Sequence, residues 1–301
     1  MEALFRSRSR KMLNVPREPW PIEYAAEHAE LNRDREQDRI PFAYRSPQIQ
    51  HRSYLVGWIR TRAEKFMFCT STVHLAIYIL DIFMDNFNIE LDRLHLVALV
   101  CLQVASKYEE RDVRIPKASQ FNSVVNNRYQ LAEFRDLEVM LLSFLGWKLN
   151  LPTAAHFAEY YSLFAVSKKD WCQTEFLSYE TFWQEAQRAV KDYLDLALLD
   201  ICMMQFLPSI VACACVLLAR QQLRLIKWTE ELQIITKYQC EDLTLCANVI
   251  LSRSSNRGIE RKRKNADSPD LGYVTAGSTT STPEGITSKR RIIVCTEDSN
   301  L

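Results

Sequence analysis

Two apolar segments of the same pattern constrain the fold of this chain more than any other feature. One is "LHLVALVCLQVASK", from Leu94 to Lys107, and the other is "LPSIVACACVLLAR", from Leu207 to Arg220. Each begins with leucine, has a centre that contains Ala and Cys, and ends in a base, so together they form a short internal repeat. Both are apolar on every side, which indicates helices surrounded by other helices. The sequence therefore predicts two helical domains, each built around one of these segments.

Further helical patterns surround both segments and define the domain organisation. The sequence predicts an all-α fold with two tandem five-helix domains, a short N-terminal helix and a disordered C-terminal tail rich in Ser, Thr and charge. The predicted helices cover residues 20–35, then 51–66, 72–87, 92–108, 117–125 and 128–145, then 153–165, 175–199, 208–224, 228–236 and 239–252. The predicted units are the arm and short helix (1–47), the two domains (48–150 and 151–252) and the tail (253–301).

Residues at the ends of these patterns are predicted caps. Thr70 or Ser71 is the expected N-cap of the second helix of the first domain, and Asp92 is the expected N-cap of the third. Thr153 is the expected N-cap of the helix that opens the second domain. Gly146 directly follows the last helix of the first domain, where a left-handed C-cap is expected.

The composition excludes several classes of protein. Only Gly57 and Gly146 lie between residues 48 and 252, which is too few glycines for β-hairpins or phosphate-binding loops. The net charge of +1 provides no overall field that attracts nucleic acid or an anionic membrane. The longest apolar run, from Phe206 to Ala219, is shorter than the roughly 18 residues typical of a membrane span. The nine cysteines form no C-x-x-C pair, so reduced intracellular thiols are expected.

No pattern in the sequence points to an active site. The histidines have no metal-ligand spacing with each other or with a cysteine; they are His28, His51, His74, His95 and His156. The chain also has no G-x-S-x-G and no H-E-x-x-H motif. The sequence therefore predicts a protein that is not an enzyme and that uses no metal and no cofactor.

Four charged residues occur inside apolar patterns and need partners. Lys107 near a helix end fits a cap that binds free carbonyls, and Glu138 at the edge of an apolar stripe fits an intramolecular salt bridge or a rim position. For both residues, contact with another protein is the alternative. Arg52 and Asp81 are each embedded among large apolar residues, so a buried structural ion pair is the prediction for them.

At this point the landmarks of the chain resemble those of a protein family. In order, "RSYLVGWI", "HLAIYILDIFMD", "LHLVALVCLQVASKYEE", "LEVMLLSFLGWKLNLPT" and "FLPSIVACACVLLA" are similar to successive segments of a cyclin, over residues 20–252. The resemblance implies a regulatory subunit that forms a heterodimer with a cyclin-dependent kinase and activates it in cell-cycle control. It also implies a location in the nucleus, with the cytoplasm as a second site. Kinase substrates or inhibitors are further expected partners, whereas membranes and nucleic acid are not.

The resemblance also implies roles for the embedded charges. Lys107 and Glu138 match the family's lysine and glutamate that bind backbone groups around the mobile αC helix of the kinase. Arg52 and Asp81 match the buried pair that fixes the first helix of the domain against the second.

One family feature is altered in this sequence. Many cyclins bind short Arg-x-Leu motifs in a patch formed by the first and third helices, of which Leu55, Trp58 and Leu94 are present here. His51, Tyr54 and His95 stand where methionine, isoleucine and glutamine are usual, so the docking of such motifs is expected to be degraded.

The tail holds two kinds of candidate signal. Ser268 and Thr282 each precede proline and are candidate sites of proline-directed phosphorylation. Four consecutive basic residues form a candidate nuclear-import signal, with solvated charge as the alternative interpretation. They are Arg261, Lys262, Arg263 and Lys264.

Two other functions use the same predicted fold. One is an orphan cyclin scaffold that binds partners without activating a kinase, which the altered docking patch keeps open. The other is a transcription-factor core that binds nucleic acid. The near-neutral charge and the pattern of Lys107 and Glu138 argue against the second.

Overall fold

The computed structural model describes residues 22–264 of the 301-residue chain, with side chains from residue 24 to residue 252. The predicted N-terminal arm up to residue 21 and the candidate phosphorylation sites Ser268 and Thr282 lie outside this part. Within it, every regular element is helical.

The helices form two consecutive groups preceded by one N-terminal helix. The N-terminal helix is α1 (Ile22–Glu36). The first group is α2 (Arg52–Phe66), α3 (Thr70–Asn86), α4 (Leu94–Glu109), α5 (Ala118–Ser123) and α6 (Leu131–Phe144). The second group is α7 (Ala154–Tyr161), α8 (Lys168–Trp171), α9 (Tyr179–Ala197), α10 (Pro208–Gln222), α11 (Glu230–Thr236) and α12 (Cys240–Lys264). The predicted all-α fold with two tandem helical domains is confirmed.

The two wholly apolar segments are the central helices of the two domains, as their pattern indicates. In α4 nearly every residue from Leu94 to Ser106 is buried, and the helix packs against α2, α3, α5 and α6. In α10 the residues from Val211 to Arg220 are buried against α7, α9 and α12. Burying one large aliphatic side chain contributes about 1.5–3 kcal/mol, so these helices supply much of the stability of each domain.

The second domain contains a short helix that the sequence pattern does not predict. The predicted helix 153–165 ends as α7 at Tyr161 and continues as a 3-10 turn to Phe164. The one-turn helix α8 follows, with Ser167 Oγ accepting a hydrogen bond from the Asp170 backbone N–H at its start. The last helix, α12, extends to Lys264, so the predicted end at residue 252 is wrong and the helix continues into the predicted tail. The candidate import signal forms its final turn.

The N-terminal helix α1 is attached to the second domain. It packs against α7, and the buried carboxylate of Glu36 accepts hydrogen bonds from Ser209, at the start of α10. The bonds come from the Ser209 backbone N–H at 3.0 Å and its hydroxyl at 2.6 Å. Burial raises the pKa of Glu36, and the bonds from Ser209 oppose that rise.

The predicted caps are only partly correct. Thr153 is the N-cap of α7, and Gly146 adopts the left-handed conformation, with φ of 59°, two residues after the end of α6. Asp92 is not the N-cap of α4, because a 3-10 turn over Leu91–Arg93 precedes that helix and Arg93 is the N-cap. The N-cap of α3 is Cys69, one residue before the predicted position, and its side chain does not cap the helix. Instead, Glu110 Oε1 accepts hydrogen bonds from the Cys69 backbone N–H at 2.6 Å and the Thr72 hydroxyl at 2.7 Å. Glu110, the residue that follows α4, therefore caps the N-terminus of α3.

Removing this carboxylate should measurably destabilise the first domain. We expect Glu110→Ala to lower the free energy of unfolding by about 1 kcal/mol, the typical cost of losing an N-cap acceptor. Urea denaturation followed by circular dichroism measures the change. Glu110→Gln keeps an acceptor oxygen and should lose less; equal denaturation midpoints for Glu110→Ala and the unmodified chain would contradict the capping role.

Candidate functional site

The structure brings Lys107 and Glu138 together at the surface between α4 and α6. The Lys107 ammonium donates hydrogen bonds to both carboxylate oxygens of Glu138, at 2.6 Å to Oε1 and 2.8 Å to Oε2. The Lys107 side chain is 44% exposed and that of Glu138 is 16% exposed. Both hydrogen bonds of the ammonium go to Glu138 rather than to a helix carbonyl, so the structure does not support the interpretation of Lys107 as a helix cap. The intramolecular salt bridge, one interpretation of Glu138, is present.

A third residue, Gln103, contacts this pair from the protein interior. It lies one helical turn before Lys107 on α4, and its amide Nε2 donates to Glu138 Oε2 at 3.1 Å. Its side chain is buried, and its amide oxygen Oε1 has no hydrogen-bond partner. Gln103 was not predicted from the sequence as part of this site. The available signal was that it is the one amide side chain in α4, between the apolar residues Leu102 and Val104.

Exposed apolar side chains border the charged pair along the chain. Tyr108 adjoins Lys107 and is half exposed, and Val139 adjoins Glu138 and is also half exposed. Trp147, three residues after the end of α6, is 66% exposed. These three residues are exposed apolar side chains in the segments that carry Lys107 and Glu138, and exposed apolar groups of this size are typical of a surface that binds another protein.

The pair retains hydrogen-bonding capacity for a partner. An ammonium has three N–H donors, and a carboxylate can accept about four hydrogen bonds. Lys107 can therefore donate to a partner's backbone carbonyl while Glu138 accepts from a partner's backbone N–H. An ion pair this exposed contributes only about 0–1 kcal/mol to folding, so changes at Lys107 should affect binding more than stability.

The two glutamates that follow Lys107 and Tyr108 have architectural contacts. Glu109 Oε1 lies 2.9 Å from His156 Nε2 on α7, which joins the first domain to the second. Glu110 caps α3, as described above. In "ASKYEE", the lysine thus faces solvent near Glu138, whereas the two carboxylates hold neighbouring helices.

Arg52 and Asp81 form the buried ion pair expected between α2 and α3. Arg52 Nε donates to Asp81 Oδ1 at 2.7 Å and Nη2 donates to Oδ2 at 2.8 Å, with both side chains almost fully buried. Burial raises the pKa of Asp81, and the guanidinium of Arg52 opposes that rise. The same guanidinium donates to the backbone oxygens of Leu198 and Leu199, each at 3.1 Å, in the segment after α9. Arg52 therefore also ties the first domain to the second, a contact that the sequence did not indicate.

The three residues of the expected docking patch, Leu55, Trp58 and Leu94, are all buried. The Arg62 guanidinium stacks 4.3 Å from the ring centre of Trp58, and the His95 ring packs edge-on against the same indole at 4.9 Å. Tyr54 Oη lies 3.0 Å from His95 Nε2. Burial lowers the pKa of His95. Arg62 and His95 therefore cover Trp58, the one aromatic residue of the patch.

The described part of the chain, residues 22–264, contains neither a metal-binding cluster nor a membrane span. This part of the chain holds no group of three or more His, Cys, Asp or Glu side chains that could bind a metal ion. None of its helices is both long and apolar enough to cross a membrane.

Two family models match consecutive parts of the chain. Residues 23–150 match the model described as "Cyclin, N-terminal domain", and residues 152–274 match "Cyclin, C-terminal domain". The structure also resembles that of a viral cyclin from herpesvirus saimiri, with a TM-score of 0.59 at 17% identity, over 75% of this chain and 96% of that one. This likeness shows a shared fold.

Individual relatives include proteins named after cyclin J. The chain is 34% identical to "Cyclin-J-like protein" of Mus musculus, over 79% of this chain and 64% of that protein. It is 32% identical to "Cyclin-J" of Homo sapiens, over 88% of this chain and 70% of that protein. It is 28% identical to "G2/mitotic-specific cyclin-A" of Drosophila melanogaster, over 82% of this chain and 49% of that protein. The chain thus spans slightly less than two thirds of the mouse relative.

Proposed function

The chain belongs to the cyclin family, and from this membership we propose that it is a regulatory subunit that binds and activates a cyclin-dependent kinase in cell-cycle control. A regulatory role follows from the family. The segments "HLAIYILDIFMD" and "LPTAAHFAEYY", with "SPQ" before the first helix of the first domain, resemble cyclin J, and the relatives confirm that resemblance. The single observation that best supports kinase binding is the hydrogen-bonded pair of Lys107 and Glu138 at the surface between α4 and α6, in which the Lys107 side chain is 44% exposed.

The proposed mechanism requires no catalytic group from this chain. Phosphoryl transfer by a protein kinase needs an internal Lys–Glu ion pair, and the position of the kinase αC helix controls whether that pair forms. A surface that binds αC only in its inward position shifts the kinase population toward the active state. In this proposal Lys107 and Glu138 bind backbone groups at the ends of the αC segment, and Tyr108 and Trp147 pack against its apolar side chains.

Contacts between the two domains support a rigid binding surface. Arg52 joins α2 to the segment after α9, and Glu109 joins the end of α4 to α7. A second ion pair, between Arg60 on α2 and Asp195 on α9, has an N–O distance of 2.6 Å. Since α4 carries Lys107, these contacts limit the motion of the surface that binds the kinase, which lowers the entropy lost on association.

Affinity purification followed by a kinase assay tests the proposal. The tagged chain is used to capture each candidate cyclin-dependent kinase, and the eluate is assayed for phosphorylation of a histone substrate. We expect one kinase to be captured in an active form. Capture of an inactive kinase would favour the orphan scaffold, and failure to capture any candidate would contradict the proposal. A salt-sensitive shift of DNA in a gel would favour the nucleic-acid alternative.

Two further predictions are untested. The cover over the docking patch supports the expectation that short Arg-x-Leu motifs bind weakly or not at all, because Trp58 is enclosed by Arg62 and His95. Nuclear location stays a prediction that depends on the basic run from Arg261 to Lys264.

A further inference from the structure

We propose that Gln103 is a positioning residue that orients the Glu138 carboxylate for the kinase, and that the chain retains it at a cost in folding stability. This inference rests on the proposed function of the pair of Lys107 and Glu138. It adds a residue that touches neither the solvent nor, in the proposed complex, the partner.

The geometry holds Glu138 from two sides. The buried amide of Gln103 donates to Oε2 from the protein interior at 3.1 Å, and the Lys107 ammonium donates to both oxygens from the surface. Gln103 and Lys107 are four residues apart on α4, so their side chains lie on the same face. If Lys107 turns toward a partner carbonyl, the bond from Gln103 remains and keeps the carboxylate in place. Glu138 is then presented to the partner in a fixed orientation, which reduces the entropic cost of binding.

The amide oxygen of Gln103 indicates that this side chain does not add to folding stability. Its Oε1 is buried without a hydrogen-bond partner, and a buried polar atom in this state is unfavourable. Leu99 and Val100, one turn earlier on the same face of α4, are fully buried apolar residues, so this face would accept an apolar side chain. An amide at this position is therefore better explained by its bond to Glu138 than by packing.

Gln103→Met tests this inference directly. Methionine has nearly the same length and shape as glutamine, but it has neither the N–H donor nor the amide oxygen of glutamine. We expect the affinity for the captured kinase to fall about tenfold, the typical effect of losing a hydrogen bond to a charged group. The midpoint of urea denaturation should stay the same or rise. An unchanged affinity, or a loss of affinity that is accompanied by a lower midpoint, would contradict the inference.

A double-mutant cycle separates positioning from a general structural effect. If Gln103 acts through Glu138, Gln103→Met should weaken kinase binding in the unmodified chain but cause little further loss in a Glu138→Ala background, which has no acceptor for the Gln103 amide. An equal loss in both backgrounds would mean that Gln103 acts independently of Glu138. Leu102→Met, at the adjacent buried position, is the matched control and should bind the kinase like the unmodified chain.

One additional variant distinguishes failure of this inference from failure of the proposed function. If Lys107→Glu still binds the kinase, the proposed interface is wrong and the role of Gln103 falls with it. If Lys107→Glu loses binding while Gln103→Met binds normally, the interface stands and only the positioning role is overturned.

Discussion

Replacing Lys107 with glutamate is expected to abolish kinase binding while the circular-dichroism spectrum stays native. The change places a second carboxylate against Glu138 and removes the donor proposed for a partner carbonyl. Truncating one charged hydrogen-bonding group in a desolvated interface costs about 2–5 kcal/mol, and reversing its sign adds repulsion. A complex of micromolar or weaker affinity would not survive this loss. Glu138→Lys should have the same effect, measured by pull-down with each candidate kinase.

Two controls make this result specific to the interface. The double variant Lys107→Glu with Glu138→Lys can restore the intramolecular pair but presents it to the kinase with reversed polarity, so binding should remain lost. Lys237→Glu breaks a different exposed ion pair, in which Lys237 Nζ lies 2.7 Å from Glu30 Oε1, and should leave binding unchanged. Full binding of both Lys107→Glu and Glu138→Lys to every candidate kinase would refute the assigned roles.

Arg52→Ala is expected to lower the free energy of unfolding by about 3–5 kcal/mol, because it leaves the buried Asp81 carboxylate without its partner. It also removes the two hydrogen bonds to the backbone oxygens of Leu198 and Leu199. Urea denaturation followed by circular dichroism and tryptophan fluorescence measures the loss. As urea is added, this variant should lose kinase binding only at the concentrations at which it unfolds.

The second cross-domain pair provides the comparison for Arg52. Arg60 and Asp195 form an ion pair with a similar N–O distance, but both side chains are about one quarter exposed. Solvent screens such a pair, so Arg60→Ala should cost only about 1 kcal/mol. Equal destabilisation by Arg52→Ala and Arg60→Ala would mean that the buried ion pair of Arg52 and Asp81 contributes no more to stability than the partly exposed one.

The fold could be predicted where the information is local. An apolar pattern on every side identified α4 and α10 as central helices, and Gly146 marked the end of α6 because glycine readily adopts positive φ. The start of α3 was misplaced because its capping carboxylate comes from Glu110, which lies after the next helix. A contact across that sequence distance leaves no local pattern.

The candidate site was predictable only in part for the same reason. Lys107 and Glu138 were identified as charges in apolar surroundings, but their pairing depends on how α4 packs against α6. Gln103 was missed because a single buried amide in a helix has several ordinary explanations until its contact with Glu138 is seen. The bonds from Arg52 to the second domain depend on how the two domains pack, which no pattern within one helix encodes.

The divided contacts of "ASKYEE" limit how this interface could be blocked. Lys107 faces solvent, whereas Glu109 and Glu110 are bound to His156 and to the start of α3. A synthetic peptide that copies this motif would lack Glu138, which comes from another helix, and would carry two glutamates without their partners. Such a peptide should compete poorly for the kinase. An effective competitor must instead reproduce the paired surfaces of α4 and α6, for example as a folded miniature of the first domain.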